Sequence, residues 1–177
     1  MTPSATPTPE RVRDVLAEVT DPEIPVITIA DLGVLREVAV DGAAVTVTLT
    51  PTYSGCPAME EIRADVRSAL ASRGWDDVTV RTVLSPAWTT DDMSEQGRRR
   101  LLEAGIAPPR PRGPGPVPLQ LGARPLGPPS PPRPLSPSCP QCGAADTEQL
   151  SRFGSTSCKA LWRCRSCREP FDHFREH

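Results

Sequence analysis

Residues 38–74 read VAVDGAAVTVTLTPTYSGCPAMEEIRADVRSALASRG, and most of the architecture follows from them. Asp41-Gly42 lies between two runs of β-formers. Glycine accepts the positive φ of a tight turn, so Val34–Val40 and Ala44–Thr50 are expected to pair as a hairpin. Val45, Val47 and Leu49 alternate with Thr46, Thr48 and Thr50, giving the second strand one buried and one polar face. A polar turn then leads to Cys56 and Pro57, and a proline here marks a helix start. Met59, Ile62, Val66, Ala69 and Leu70 recur at helical spacing, and Gly74 offers a left-handed stop.

On the N-terminal side, Thr8-Pro9 is a hydroxyl cap followed by proline at the first helical position. Val12, Val15, Leu16 and Val19 form the apolar face of that helix, and Asp21-Pro22-Glu23 stops it. On the C-terminal side, Asp77–Leu84 reads as a third strand. A last helix is expected from about Asp91 to Ala104, with Thr90 as cap, Asp91 and Asp92 at its positive end and Arg98, Arg99 and Arg100 toward the other. Gly105 ends it. Helix, hairpin, helix, strand and helix make an α+β domain over residues 9–105, preceded by a flexible N-terminus, residues 1–8.

Thirteen of the 23 prolines fall between Gly105 and Ser138, so residues 106–138 read as a semi-extended linker that cannot bury enough apolar surface to fold. A spacer fits this composition better than a proline-rich ligand. Residues 139–177 are too few for an independent hydrophobic core, so a staple is expected. Net charge is −2, about −7 over residues 1–104 and +5 over the rest. Such a balance argues against a nucleic-acid partner. No apolar run approaches a membrane span and the first ten residues lack a leader pattern, so the reading is cytosolic, with no membrane role. In a reducing compartment six cysteines are expected as ligands or reactive thiols rather than disulfides.

The tail carries two Cys-x-x-Cys knuckles, Cys139/Cys142 and Cys164/Cys167. Two thiolates two residues apart grip one face of a tetrahedral ion, and a second pair closes the shell. A filled shell leaves no position for a substrate, so the site reads as a structural, zinc-ribbon-like module of four cysteines whose metal folds it. Zinc is the expected ion; iron or an iron–sulfur cluster shares the donor chemistry. Cys158 is a fifth cysteine in a module that needs four. It reads as a packing residue, an alternative ligand or a reactive thiol beside Lys159. His173 and His177 read as a solvated C-terminus, because His173 follows Cys167 too closely for a zinc-finger helix.

Cys56 has two readings. Free cysteine is often a small buried hydrophobe. Here it precedes Pro57 at the start of a helix, where unpaired N–H groups and the dipole favour a thiolate. Glu60 and Glu61 in the first turn would oppose that thiolate.

The segments DPEIPVITIADLGVLREVAV and LTPTYSGCPAMEEI resemble the small iron–sulfur-assembly domain of SufT-type bacterial proteins and the cytosolic iron–sulfur targeting factors. The matching positions are Asp21, Pro22 and Glu23, then Asp31, Leu32 and Gly33, then Thr52, Gly55, Cys56 and Pro57. SPAWTTDDMSEQGRRRLLEAGIAPP, the linker and CPQCG…FGSTSCKALWRCRSCREPFDHF together look like the PaaD family, auxiliary proteins of the multicomponent phenylacetyl-CoA epoxidase. The resemblance implies an accessory role in metal-centre assembly, with the oxygenase and the iron–sulfur flavin reductase as partners. It also implies a working thiolate at Cys56, transiently holding iron or a cluster, with Asp21, Glu23 and Thr52 around it. The chain itself has no Glu-x-x-His pair, dinucleotide glycine pattern or Gly-x-Ser-x-Gly elbow. A docking subunit without metal chemistry at Cys56 and a small thiol redox enzyme are the competing readings.

Overall fold

In the computed structural model, residues 6–110 and 136–175 are described. The first unit opens with α1, Pro9–Leu16, whose N-cap Thr8 hydroxyl accepts from the Arg11 N–H as expected. β1, Leu35–Asp41, and β2, Ala44–Leu49, pair antiparallel about Gly42. α2, Met59–Ala71, crosses back so that β3, Val78–Thr82, pairs parallel to β2. The sheet order is β1-β2-β3. Val45, Val47 and Leu49 point inward from β2 and meet Val12 and Leu16 of α1 and Ile62, Val66 and Leu70 of α2, all almost fully buried. The alternation and the helical stripes read from the sequence therefore form the core.

The last helix differs from expectation. A 3₁₀ turn, Thr90–Asp92, is closed by Thr89 and Asp92 as a capping box. Met93 is extended and buried, and α3 runs from Glu95 to Glu103 with Ser94 as its cap. The stretch holds two cap signals, and tertiary contacts separate them. Asp92 receives both Nη groups of Arg36, at 2.7 and 3.0 Å, and the Ser94 hydroxyl donates to Asp31 Oδ1 at 2.7 Å. Gly33 sits between, at φ +79°, where a Cβ would lie 2.3 Å from the Asp92 carbonyl oxygen. Only glycine meets both conditions.

The Arg36 guanidinium holds the Asp92 carboxyl below its ordinary value. A depressed carboxylate contributes stability that is complete above about pH 4 and is lost as pH falls through the folded-state value. Asp92→Asn is expected to lower unfolding stability at pH 7 by about 1–2 kcal/mol. Urea titrations across pH 2–7 should show the gap to the native chain closing at the acid end; a gap independent of pH would contradict this.

The tail is a second sheet, ordered β4-β7-β6-β5: Ile106–Ala107, Thr147–Ser151, Lys159–Cys164 and Pro170–Phe174 for β4 to β7. Three corrections follow. Ile106–Ala107, expected as linker, is a strand parallel to β7, reached directly from α3. His173 is not a solvated tail residue. It lies on β7, edge-on to Trp162 with ring centroids 6.0 Å apart, and burial with nearby Arg110 pushes its imidazole down to about 4. Residues 6–8 are held to the fold rather than loose: Pro7 is buried and the Thr6 carbonyl accepts from Arg11. Residues 1–5, the linker from 111 to 135 and the last two residues, with His177, lie outside the described residues. Among the described residues no helix is long and apolar enough to cross a membrane.

The ribbon packs on the first unit. Phe174 is fully buried with its ring 5.9 Å from that of Trp88, and the Trp88 indole N–H donates to the Leu32 carbonyl at 2.8 Å. Phe174 and Cys158 belong to the same apolar cluster as α1, α2 and the first sheet.

Candidate functional site

Two sulfur-bearing sites emerge. In the first, Cys139, Cys142, Cys164 and Cys167 bring their Sγ atoms within 4.8 Å of one another. Cys139 Sγ lies 3.7 Å from Cys167 Sγ, and Cys142 Sγ lies 3.6 Å from Cys164 Sγ. Sulfurs placed tetrahedrally about 2.3 Å from one ion lie about 3.8 Å apart, so the four donors fit a single metal ion. Each knuckle closes on a left-handed residue, Gly143 at φ 75° and Arg168 at φ 66°. The Cys167 and Ser166 N–H groups draw the Cys164 thiol down to about 6, while burial and the neighbouring cysteine sulfurs push the Cys167 thiol up to about 12, so the sulfurs share protons that a metal ion would replace.

The second site surrounds Cys56. α2 begins at Met59 with Ala58 as N-cap, so Cys56 stands just ahead of the helix. Its own N–H donates to the Tyr53 carbonyl at 3.2 Å, which folds the turn tightly. Cys158 and the Ala58 N–H, beside the half-buried thiol, lower its pKa against the cost of burial. The expected benefit of the helix start is thus present as one N–H group. The opposing charges come from Asp21 and Glu23 rather than Glu60 and Glu61. Asp21 is buried, and its Oδ1 accepts from the N–H groups of Glu23 and Ile24 at 2.8 and 2.9 Å. Glu23 Oε2 is buried without a hydrogen-bond partner. Thr52 is buried, with its hydroxyl 3.8 Å from Cys158 Sγ.

The family resemblance grouped Asp21, Glu23, Thr52 and Cys56, and did not place Cys158 with them. That residue precedes β6, at the opposite end of the strand from Cys164 and about 20 Å away at strand rise. It therefore lies apart from the four-cysteine cluster. The one signal available was numerical: a fifth cysteine where four fill the shell. Tyr53, hydrogen-bonded to Ser157, joins the same contact.

Burial pushes the Asp21 carboxyl up, against the two backbone N–H groups that it accepts. A raised carboxyl favours folding at low pH and loses that advantage as pH rises through its folded value. Asn at this position keeps the acceptor for both N–H groups and removes the charge. Asp21→Asn is therefore expected to unfold at the same or higher urea concentration at pH 7, the difference vanishing below about pH 4. A clear loss of stability at pH 7 would show that the carboxylate holds the fold rather than the site.

Comparison with known proteins places this architecture. Residues 9–82 match the family model described as "Iron-sulfur cluster assembly protein", and residues 133–175 match "PaaD zinc beta ribbon domain". The class is an iron–sulfur assembly domain joined to a zinc β-ribbon. Over 174 residues the chain is 43% identical to an Escherichia coli K12 protein named as a putative subunit of 1,2-phenylacetyl-CoA epoxidase, covering 97% of this chain and 96% of the relative. The chain belongs to the family of that epoxidase subunit, the PaaD family. The first domain alone has shorter relatives. A Porphyromonas gingivalis "Fe-S protein maturation auxiliary factor" is 42% identical over 102 residues, 56% of this chain and 92% of the relative. A Bacillus anthracis structure titled "Crystal Structure of Domain of Unknown Function DUF59" aligns at TM-score 0.50 and 28% identity, over 52% of this chain and 90% of that one.

Proposed function

We propose that the chain is a cytoplasmic maturation subunit that holds iron or an iron–sulfur cluster at Cys56 and passes it to a component of phenylacetyl-CoA epoxidase. The observation that carries this reading is the setting of Cys56. It is a half-buried, N–H-supported thiol among carboxylates, on the domain shared with iron–sulfur maturation factors. A thiolate is a soft iron ligand, and the carboxylates favour a cation beside it. Asp21 and Glu23 supply that field, and Thr52 fixes the sulfur's neighbourhood. The ribbon holds its own ion through Cys139, Cys142, Cys164 and Cys167. Their spacing supports one zinc ion rather than a polynuclear cluster, whose thiolates are spread over separate irons.

The test is to produce the epoxidase components with the native chain or with Cys56→Ser, then measure iron per oxygenase and per reductase and the epoxidation rate. The native chain is expected to raise both, and the variant to leave iron content and rate at the level seen without any accessory chain. Equal loading by the two chains would replace this reading with a purely docking role.

A further inference from the structure

The contact between Cys56 and Cys158 joins two modules, and several independent contacts fix it. The Cys158 carbonyl accepts from the Arg175 N–H at 2.9 Å, and the Ser157 carbonyl accepts from Arg175 Nη1 at 2.9 Å. Ser157 is hydrogen-bonded to Tyr53, and Phe174 is packed on Trp88. The Cys158 backbone is thereby held while its side chain, only 5% exposed, faces Cys56 and the Thr52 hydroxyl. Lys159 is turned away into an ion pair with Asp172 at 3.3 Å and does not neutralise the site.

Two neighbouring thiols packed in one cluster can form a disulfide or share a metal ion. Surrounding charge separates these uses. A reactive thiol pair in a redox protein is served by positive charge, which stabilises the attacking thiolate. Here Asp21 and Glu23 act on Cys56, and Glu23 acts on Cys158 as well. A cation between the two sulfurs would compensate two thiolates set near two carboxylates, where otherwise protons must do so. Glu23 Oε2, buried and unpartnered, adds one more acceptor without a donor. Thiolate donors select thiophilic ions over magnesium or calcium.

We infer that Cys158 is the second sulfur of the Cys56 site, so that the two cysteines, one from each module, bind one thiophilic divalent ion such as Fe²⁺ between them. Two metal–sulfur bonds form, and the two thiol protons leave to solvent. The ion gains two negative ligands without any change of oxidation state. The ribbon then serves as lid and as ligand donor, and undocking it removes one of the ion's two sulfurs. This inference rests on the reading of Cys56 as an iron-handling thiol.

The probe is Co²⁺, whose thiolate charge-transfer band reports sulfur ligation. The full chain is first loaded with one equivalent of Zn²⁺, which outcompetes Co²⁺ for the four-cysteine shell. Co²⁺ is then added anaerobically. A second-site band is expected in the native chain. In Cys56→Ser and in Cys158→Ser alike, Co²⁺ affinity should fall by at least the 10–100-fold that loss of a mere outer partner costs. Retained Zn²⁺ and an unchanged tryptophan near-ultraviolet spectrum identify folded variants, and Cys158→Ala gives a second chance should serine disturb the contact. A band abolished in Cys56→Ser but intact in both Cys158 variants overturns the inference and leaves the Cys56 reading standing. Absence of any second-site band in the native chain also overturns it, while iron loading of the epoxidase judges that reading separately. If loading is independent of Cys56 but the band needs both cysteines, the delivery reading fails and the two-sulfur site stands.

Discussion

Replacing Cys164 with alanine will unfold the ribbon while the first domain keeps a cooperative transition of its own. The ribbon's separate apolar cluster consists of Ala107, Cys139, Ala160, Trp162, Cys164 and Phe171, and two of these six are proposed metal ligands. So small a core does not offset the conformational entropy of some forty residues. In comparable small domains metal binding supplies about 10–16 kcal/mol of apparent folding free energy at neutral pH. Losing Cys164 removes a donor that is fully buried. The same result is expected from a strong chelator. The β-signal of residues 147–174 should disappear from amide hydrogen-exchange protection, and Trp88 should become wet as Phe174 leaves it. Protection in residues 9–82 should persist, since α1, α2 and the first sheet share a core supplied mainly by their own side chains. A metal-free ribbon that keeps its protection would contradict the proposed ligand role of all four cysteines.

Phe174→Ala is the second large effect, because that side chain joins the modules. It is fully buried and rests against Trp88 at an interplanar angle of 49°. Truncating a buried phenylalanine costs about 3–5 kcal/mol, through lost transfer free energy and the cavity left behind. Much of that cost falls on the docked arrangement, so the ribbon should open from the domain more often. Cys158 then becomes accessible. Its alkylation by N-ethylmaleimide, followed by mass spectrometry, should accelerate by two to three orders of magnitude, since about 1.4 kcal/mol is tenfold in the open population. Phe174→Leu keeps most of the volume and should cost under about 1.5 kcal/mol. Equal reactivity of Cys158 in Phe174→Ala and the native chain would mean that this ring does not hold the modules together.

The two effects bear on function in different ways. Metal loss removes the ribbon as a folded body. Phe174→Ala leaves the four-cysteine cluster intact and separates only Cys158 from Cys56. Comparing the two variants in the epoxidase-loading experiment therefore distinguishes a need for the ribbon from a need for its docking.

Much of this was legible along the chain because its causes are local. Thr8-Pro9 begins α1, Asp41-Gly42 turns the hairpin, and the β2 alternation and α2 stripe select the buried faces, each through contacts a few residues apart. The two knuckles were equally plain, since Cys-x-x-Cys spacing is itself the geometry of half a tetrahedral shell. The start of α3 was not. Thr90 and Ser94 both make acceptable caps, and the outcome rests on Arg36 and Asp31, far away in sequence, engaging Asp92 and Ser94. Nor was β4, because two residues after a helix carry no strand signal until β7 lies beside them.

The Cys56 site divides along the same line. Local sequence placed the thiol ahead of a helix, and the family resemblance put Asp21, Glu23 and Thr52 in view as its neighbourhood. Its second sulfur depends on where the ribbon docks, and docking is set by Phe174 on Trp88 and by Tyr53 with Ser157, contacts between residues about 90 to 100 positions apart. No periodicity or spacing encodes such a contact. It arises only when two separately formed surfaces bury their apolar residues against each other, and Cys158 is carried to Cys56 as a consequence.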